Sequence, residues 1–162
     1  MATLYFLEIG EVDEQDPVKI KKMFLHPEDQ VLVRRHDNSG TVELGGDEEG
    51  KRVVYLNILG VTRGLDGKPH GKFTATPDNL SYENMHNNGT RFIRSENPLA
   101  WLGTGQTIDD LIDGDHLQFR GPENENAYQY LLQIKVRKVL DAVYVPEQRK
   151  EIRLREPAAT GA

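Results

Sequence analysis

The sequence predicts an all-β fold, a sandwich of about ten short strands, and three observations carry that reading. Apolar and aromatic runs recur along the chain, separated by Gly, Pro, Asn and Asp turn signals at roughly 8–12-residue intervals. Several runs alternate, most clearly Tyr128, Tyr130, Leu132, Ile134 and Val136, with Gln129, Gln133, Lys135 and Arg137 on the other face. A helix is the competing reading there, because Leu132, Val136, Val139 and Val143 also fit helical spacing; the unbroken period of two favours a strand. Finally, the chain holds no internal repeat, no coiled-coil heptads and no other segment with a sustained helical period.

Taken in order, Leu4–Ile9 is an aromatic and aliphatic strand that ends at Gly10. After the acidic Glu11–Asp16 loop and Pro17, Val18–Leu25 reads as a second strand, ended by His26-Pro27. Val31–Arg35 is a third, His36–Gly40 a turn, and Thr41–Leu44 a short fourth strand before the acidic, glycine-bearing loop Gly45–Gly50. Val53–Leu59 is the most β-like run and is expected to be central. Lys72–Thr76, Arg91–Arg94 and His116–Phe119 follow as strands, the last leaving the sharp turn Asp113-Gly114-Asp115. Trp101 lies in a glycine-bearing segment, Asn97–Gly105. Asp141–Val145 and Glu151–Arg155 look like closing pieces. The expected domain is 1–156, with a linker-like tail at 157–162. Alternation predicts that Phe6, Val33, Leu44, Leu56, Ile58, Leu117, Phe119, Leu132 and Ile134 are buried.

Composition narrows the function. Acidic residues number 26 against 20 basic, for a formal charge of −6, which argues against non-specific nucleic-acid binding and against an anionic membrane surface. No apolar run reaches membrane-spanning length and the amino terminus lacks signal-peptide features, so a cytoplasmic location is expected. With no cysteine there is no disulfide, thiolate nucleophile or Cys-ligated zinc. The five histidines show no metal-ligand spacing, and no serine sits in a nucleophile elbow. Gly103-Thr104-Gly105-Gln106-Thr107 lacks the Lys of a phosphate loop, and Asp109, Asp110, Asp113 and Asp115 lack EF-hand spacing. Nothing implies an enzyme or a cofactor.

The stretch from Asn88-Gly89-Thr90 to Asp113-Gly114-Asp115-His116-Leu117-Gln118-Phe119 resembles the C-terminal half of a forkhead-associated (FHA) domain. That family of β-sandwiches reads phosphothreonine peptides. Val33–Leu44 follows the family's spacing of a strand, a turn and an Ile-x-Leu strand, with Arg35 in the place of the phosphate-binding Arg and Arg34 replacing its Gly. The similarity covers roughly residues 4–137. It departs from the family's Ser-x-x-His, in which Ser binds the phosphate and His braces the site: Gly50-Lys51-Arg52-Val53-Val54 stands there with neither. The family's Asp-x-x-Ser is represented by Glu83-Asn84-Met85-His86. The resemblance implies a protein or peptide partner held by loops at one end of the sandwich. Asn87, Asn88 and Thr90 would hydrogen-bond the partner's backbone. Arg34, Arg35, Lys51 and Arg52 could converge on an anion, since guanidinium forks suit phosphate oxygens. The alternative is a structural assembly protein, such as a virion or secretion-apparatus component, built on the same sandwich.

Overall fold

The computed structural model describes residues 3–46, 49–64, 67–95, 98–121, 129–140, 143–144 and 151–157. Among the described residues, fourteen strands build two sheets: β1 (Thr3–Glu11), β2 (Lys21–Leu25), β3 (Gln30–Arg34), β4 (Val42–Gly46), β5 (Arg52–Leu56), β6 (Gly71–Ala75), β7 (Leu80–Asn84), β8 (Thr90–Ile93), β9 (Leu99–Leu102), β10 (Thr107–Ile108), β11 (His116–Arg120), β12 (Tyr130–Leu140), β13 (Val143–Tyr144) and β14 (Leu154–Arg155). The first sheet runs β2-β1-β12-β11-β8-β9, with β13 beside β12; the second runs β14-β10-β7-β6-β3-β5-β4. Among the described residues the only helical element is a single 3-10 turn, Pro17–Lys19. The protein is an all-β sandwich of the FHA-like kind.

Alternation explains the core. Leu7, Ile9, Leu117, Phe119, Leu132, Ile134 and Val136 of the first sheet meet Val31, Val33, Val54, Leu56, Phe73 and Tyr82 of the second. The strand expected at the Tyr128–Val136 run is β12, which pairs with both β1 and β11. A helix there would leave the backbone groups of β1 and β11 without their ladder partners. One pair is parallel: β3 and β5, with Val31 opposite Arg52 and Arg34 opposite Tyr55.

Several expectations change. Val18 is 91% exposed in the 3-10 turn, because Pro17 sets the first helical dihedral and Asp16 caps Val18 N at 3.0 Å. The strand therefore starts only at Lys21. Phe6 faces outward and packs on Phe24, since Tyr5, Leu7 and Ile9 take the inner face. Leu44 is 37% exposed because β4 is an edge strand, paired only with β5. The other seven residues expected in the core are buried. Three strands, β7, β9 and β10, lie where no strand is expected, at Leu80–Asn84, around Trp101 and at Thr107–Ile108. Of the piece expected at 141–145, Val143 and Tyr144 form β13; Asp141, Ala142 and Val145 fall outside the described residues, as do 158–162 of the tail.

Candidate functional site

The parallel β3–β5 pair gathers the loops. Both strands run towards one end of the sandwich; β6 starts there, with Gly71 opposite Val33, and β7 ends there, with Asn84 opposite Gly71. The segments after β3, after β5, before β6 and between β7 and β8 therefore cluster at that end. Arg34, Arg35, Asn87 and Asn88 all lie on them. Arg52, at the start of β5, lies at the opposite end and is engaged by Phe24 O and by Asp29 at 3.3 Å. Lys51 precedes it and sits 3.7 Å from Glu49.

At the loop end a cavity of about 310 Å³ is lined by Arg34, Arg35, His36, Tyr55 and Arg63. Arg35 is fixed by its own bonds: Nε donates to Val61 O at 2.8 Å and Nη1 to Asn38 Oδ1 at 2.5 Å. Burial and the neighbouring Arg63 guanidinium hold Arg35 below the usual arginine range, with Asp37 opposing them. The His36 ring stacks on Tyr55 with centroids 3.6 Å apart. Buried Asn57 anchors the loop that carries His36: its Oδ1 accepts from His36 N at 2.8 Å and its carbonyl from Gly40 N at 2.7 Å. Asp37 is the nearby acid, occupied by Ser39 N at 2.9 Å. The guanidinium groups of Arg34, Arg35 and Arg63 thus line one concavity.

His70 joins this cavity to the Asn-Gly turn. Thr62 N, next in sequence to Arg63, donates to His70 Nδ1 at 3.4 Å, and Nε2 then carries the proton and donates to Gly89 O at 2.9 Å. Burial pushes the His70 pKa down to about 4, against the raising effect of the Gly89 bond, so the ring is neutral. Asn88 is held from both sides: its Nδ2 donates to Gly60 O at 3.1 Å and Arg120 donates to its carbonyl. Asn87 is exposed at the tip. Thr90 points inward instead. Buried, it accepts from Tyr82 OH at 2.9 Å and donates to Asn84 Oδ1 at 2.8 Å. Gly71 is required beneath this chain, since a β-carbon there would collide with the Tyr82 hydroxyl. Gly89 has φ +75° and lies under the Trp101 ring, so the turn and its cover both depend on a missing side chain.

Sequence reasoning misses His36, Tyr55, Arg63 and His70. Spacing looks for the bracing histidine near 50–54, whereas the histidine that touches the turn follows Gly67-Lys68-Pro69 and precedes the Phe73 strand. A larger concavity of about 740 Å³ opens on the outer face of the first sheet. There Lys135 and Arg137 stand among the acids Glu8, Glu11, Asp13, Glu14 and Asp113, and Arg137 meets Glu8 at 2.5 Å and Asp113 at 3.7 Å. Among the described residues no group of three or more His, Cys, Asp or Glu could hold a metal ion, and no helix is long and apolar enough to cross a membrane.

No family model matches this sequence. No curated protein matches it either. Among solved structures, the IAD domain of interferon regulatory factor 9 is similar, with a TM-score of 0.53 over 83% of this chain and 82% of that one, at 9% identity. At such identity the likeness shows a shared fold alone.

Proposed function

We propose that this protein is a non-enzymatic protein-interaction module, a degenerate member of the FHA family, that binds an anionic peptide segment at the loop end of the sandwich. The observation that carries the reading is the cavity lined by Arg34, Arg35 and Arg63 at the same end as the Asn87-Asn88 turn. A phosphothreonine side chain supplies the anion that the resemblance implies. In this reading Arg35 and Arg63 take the phosphate oxygens and Asn87, at the exposed tip, the peptide backbone. His70 acts as the brace, tying the Arg63 loop to the turn. Gly67 stands three residues before it, where the family has the phosphate-binding Ser. Thr90, buried in the Tyr82–Thr90–Asn84 chain, shapes the turn from within. The fold likeness to the IAD domain agrees with the sandwich this reading needs.

The test is a titration of matched phosphorylated and unphosphorylated threonine peptides into wild type, Arg35→Ala and Arg63→Ala. A hydrogen bond to a charged group contributes about 1.5–3 kcal/mol, so each substitution should weaken phosphopeptide binding by roughly tenfold or more. Binding should also fall as salt rises. Equal affinity for both peptides, with no effect of either substitution, would overturn the reading.

A second reading, structural assembly, has its own observation. The edge strands of the first sheet carry Phe24, Leu99 and Trp101, 49%, 55% and 50% exposed, and edge strands with exposed apolar residues are templates for pairing with another copy. Light scattering separates the two: a concentration-independent monomer supports the module, and rings or larger assemblies support the structural protein.

A further inference from the structure

A groove of about 700 Å³ crosses the outer face of the second sheet and shares Arg34 and Tyr55 with the arginine cavity, so the two concavities adjoin. Register explains its make-up. Val31 and Val33 face the core, which turns Leu32 and Arg34 outward, beside Val53 and Tyr55 on β5 and Lys72 on β6. Leu32 is buried although it points away from the core, so it gives the groove an apolar floor. Lys51, Lys72 and Arg34 line the groove, and long cationic side chains lay apolar stems on such a floor with their charges at the rim. Glu49, beside Lys51, is the acid in the lining; Glu83, opposite Lys72 on β7, lies outside it. The backbone of Gly46 on β4 borders the far wall. The described residues contain no helix that could cover this face.

We propose that this groove is a second part of the binding surface, which receives acidic residues flanking the anion held by the arginines. The proposal rests on the anionic-peptide reading above and adds the class of sequence that the module prefers. Among the described residues, three cations against one acid line the groove in a chain of formal charge −6, so the charge of this lining runs opposite to that of the whole chain. The shared Arg34 lets one extended segment occupy both concavities without leaving the surface. Phosphate and carboxylates are then read together: the cavity fixes the phosphorylated residue, and the groove selects what lies beside it.

The experiment uses three peptides: phosphothreonine amid serine and alanine, and two counterparts with a run of glutamates on one side or the other. They are titrated into wild type, Lys72→Glu, Lys51→Glu, Lys22→Glu and Arg35→Ala. Lys22, on the outer face of the first sheet over Phe6, controls for net charge. One glutamate-flanked peptide should bind about five- to tenfold tighter than the neutral one. Lys72→Glu and Lys51→Glu should each erase that gain and leave neutral-peptide binding in place, while Lys22→Glu preserves it. If Arg35→Ala weakens the neutral phosphopeptide but flanking glutamates add nothing, or Lys22→Glu erases the gain as fully as Lys72→Glu, the groove is overturned and the arginine cavity stands. If no phosphopeptide binds, or Arg35→Ala changes nothing, both fall.

Discussion

His70 illustrates how much can depend on one ring. Its neutral form bridges Thr62 N and Gly89 O, and its pKa in the fold is depressed to about 4 from an ordinary value near 6.5. Between those values the unfolded chain binds a proton that the folded one refuses. The stability from His70 is thus complete above about pH 6.5 and is lost as pH falls towards 4, by on the order of 3 kcal/mol. Urea midpoints from pH 7 to pH 4.5 should decline, and His70→Gln should flatten the decline. An unchanged slope in the variant would remove His70 as its source. Some slope should persist, because burial first, and then Lys135 and Arg137, depress His116 in the same direction. Arg94 and Asp115 form the other costly pair. Each is 1% exposed, and they are joined by two bonds, Nε to Oδ1 at 3.0 Å and Nη2 to Oδ2 at 2.8 Å. Asp115→Ala should cost about 3–5 kcal/mol because it leaves a buried guanidinium uncompensated, and Arg94→Leu with Asp115→Leu should cost less than either alone. Denaturation of Asp115→Ala, the two single leucine variants and the double variant checks this. In sequence, Asp113-Gly114-Asp115 is legible as a turn and nothing more. The partner of Asp115 is 21 residues away on another turn, and no local pattern signals it.

Elements read unevenly for a related reason. β12, β11 and β3 are legible because alternation and burial agree in them. β9 is not, since Trp101 and Leu99 face solvent from an edge strand and the strand exists only through its ladder to β8. β7 is hidden by Asn79 and Ser81, which read as loop, although Leu80 and Tyr82 alternate correctly. Leu132→Ala should cost about 2–5 kcal/mol, whereas Leu44→Ala, on the exposed edge strand β4, should cost under about 1 kcal/mol. Comparable losses would mean that β4 is packed more tightly than its exposure indicates. The candidate site was half legible. Arg35 and the Asn-Gly turn announce themselves by motif. Arg63 and His70 join them only because β3 and β5 run parallel, and a parallel pairing leaves no trace in either strand's own sequence. Asn57 holds the β3–β4 loop through five polar contacts to His36, Gly40, Thr41 and Glu43. Asn57→Ala should lower stability by about 1–3 kcal/mol and weaken peptide binding through disorder of His36. Calorimetry and the titration above read the two effects separately.

For the whole molecule, far-ultraviolet circular dichroism should be that of a β protein with almost no helical signal, since the described residues hold one 3-10 turn and fourteen strands. A dominant helical spectrum would refute the architecture. The arrangement of the first sheet also governs how the molecule comes into being. β1 lies between β2 and β12, with Thr3 opposite Leu140, so one of the first strands made waits for one of the last. At about 5–20 residues per second, a nascent β1 emerges from the ribosome with one flank and its inner face unpaired for several seconds. Folding of such long-range pairings is slow, and the waiting strand is open to wrong partners. The hairpin to β2 is the only neighbour available to β1 in that interval, which gives the short, lysine-bearing β2 a second use as a guard against aggregation during synthesis.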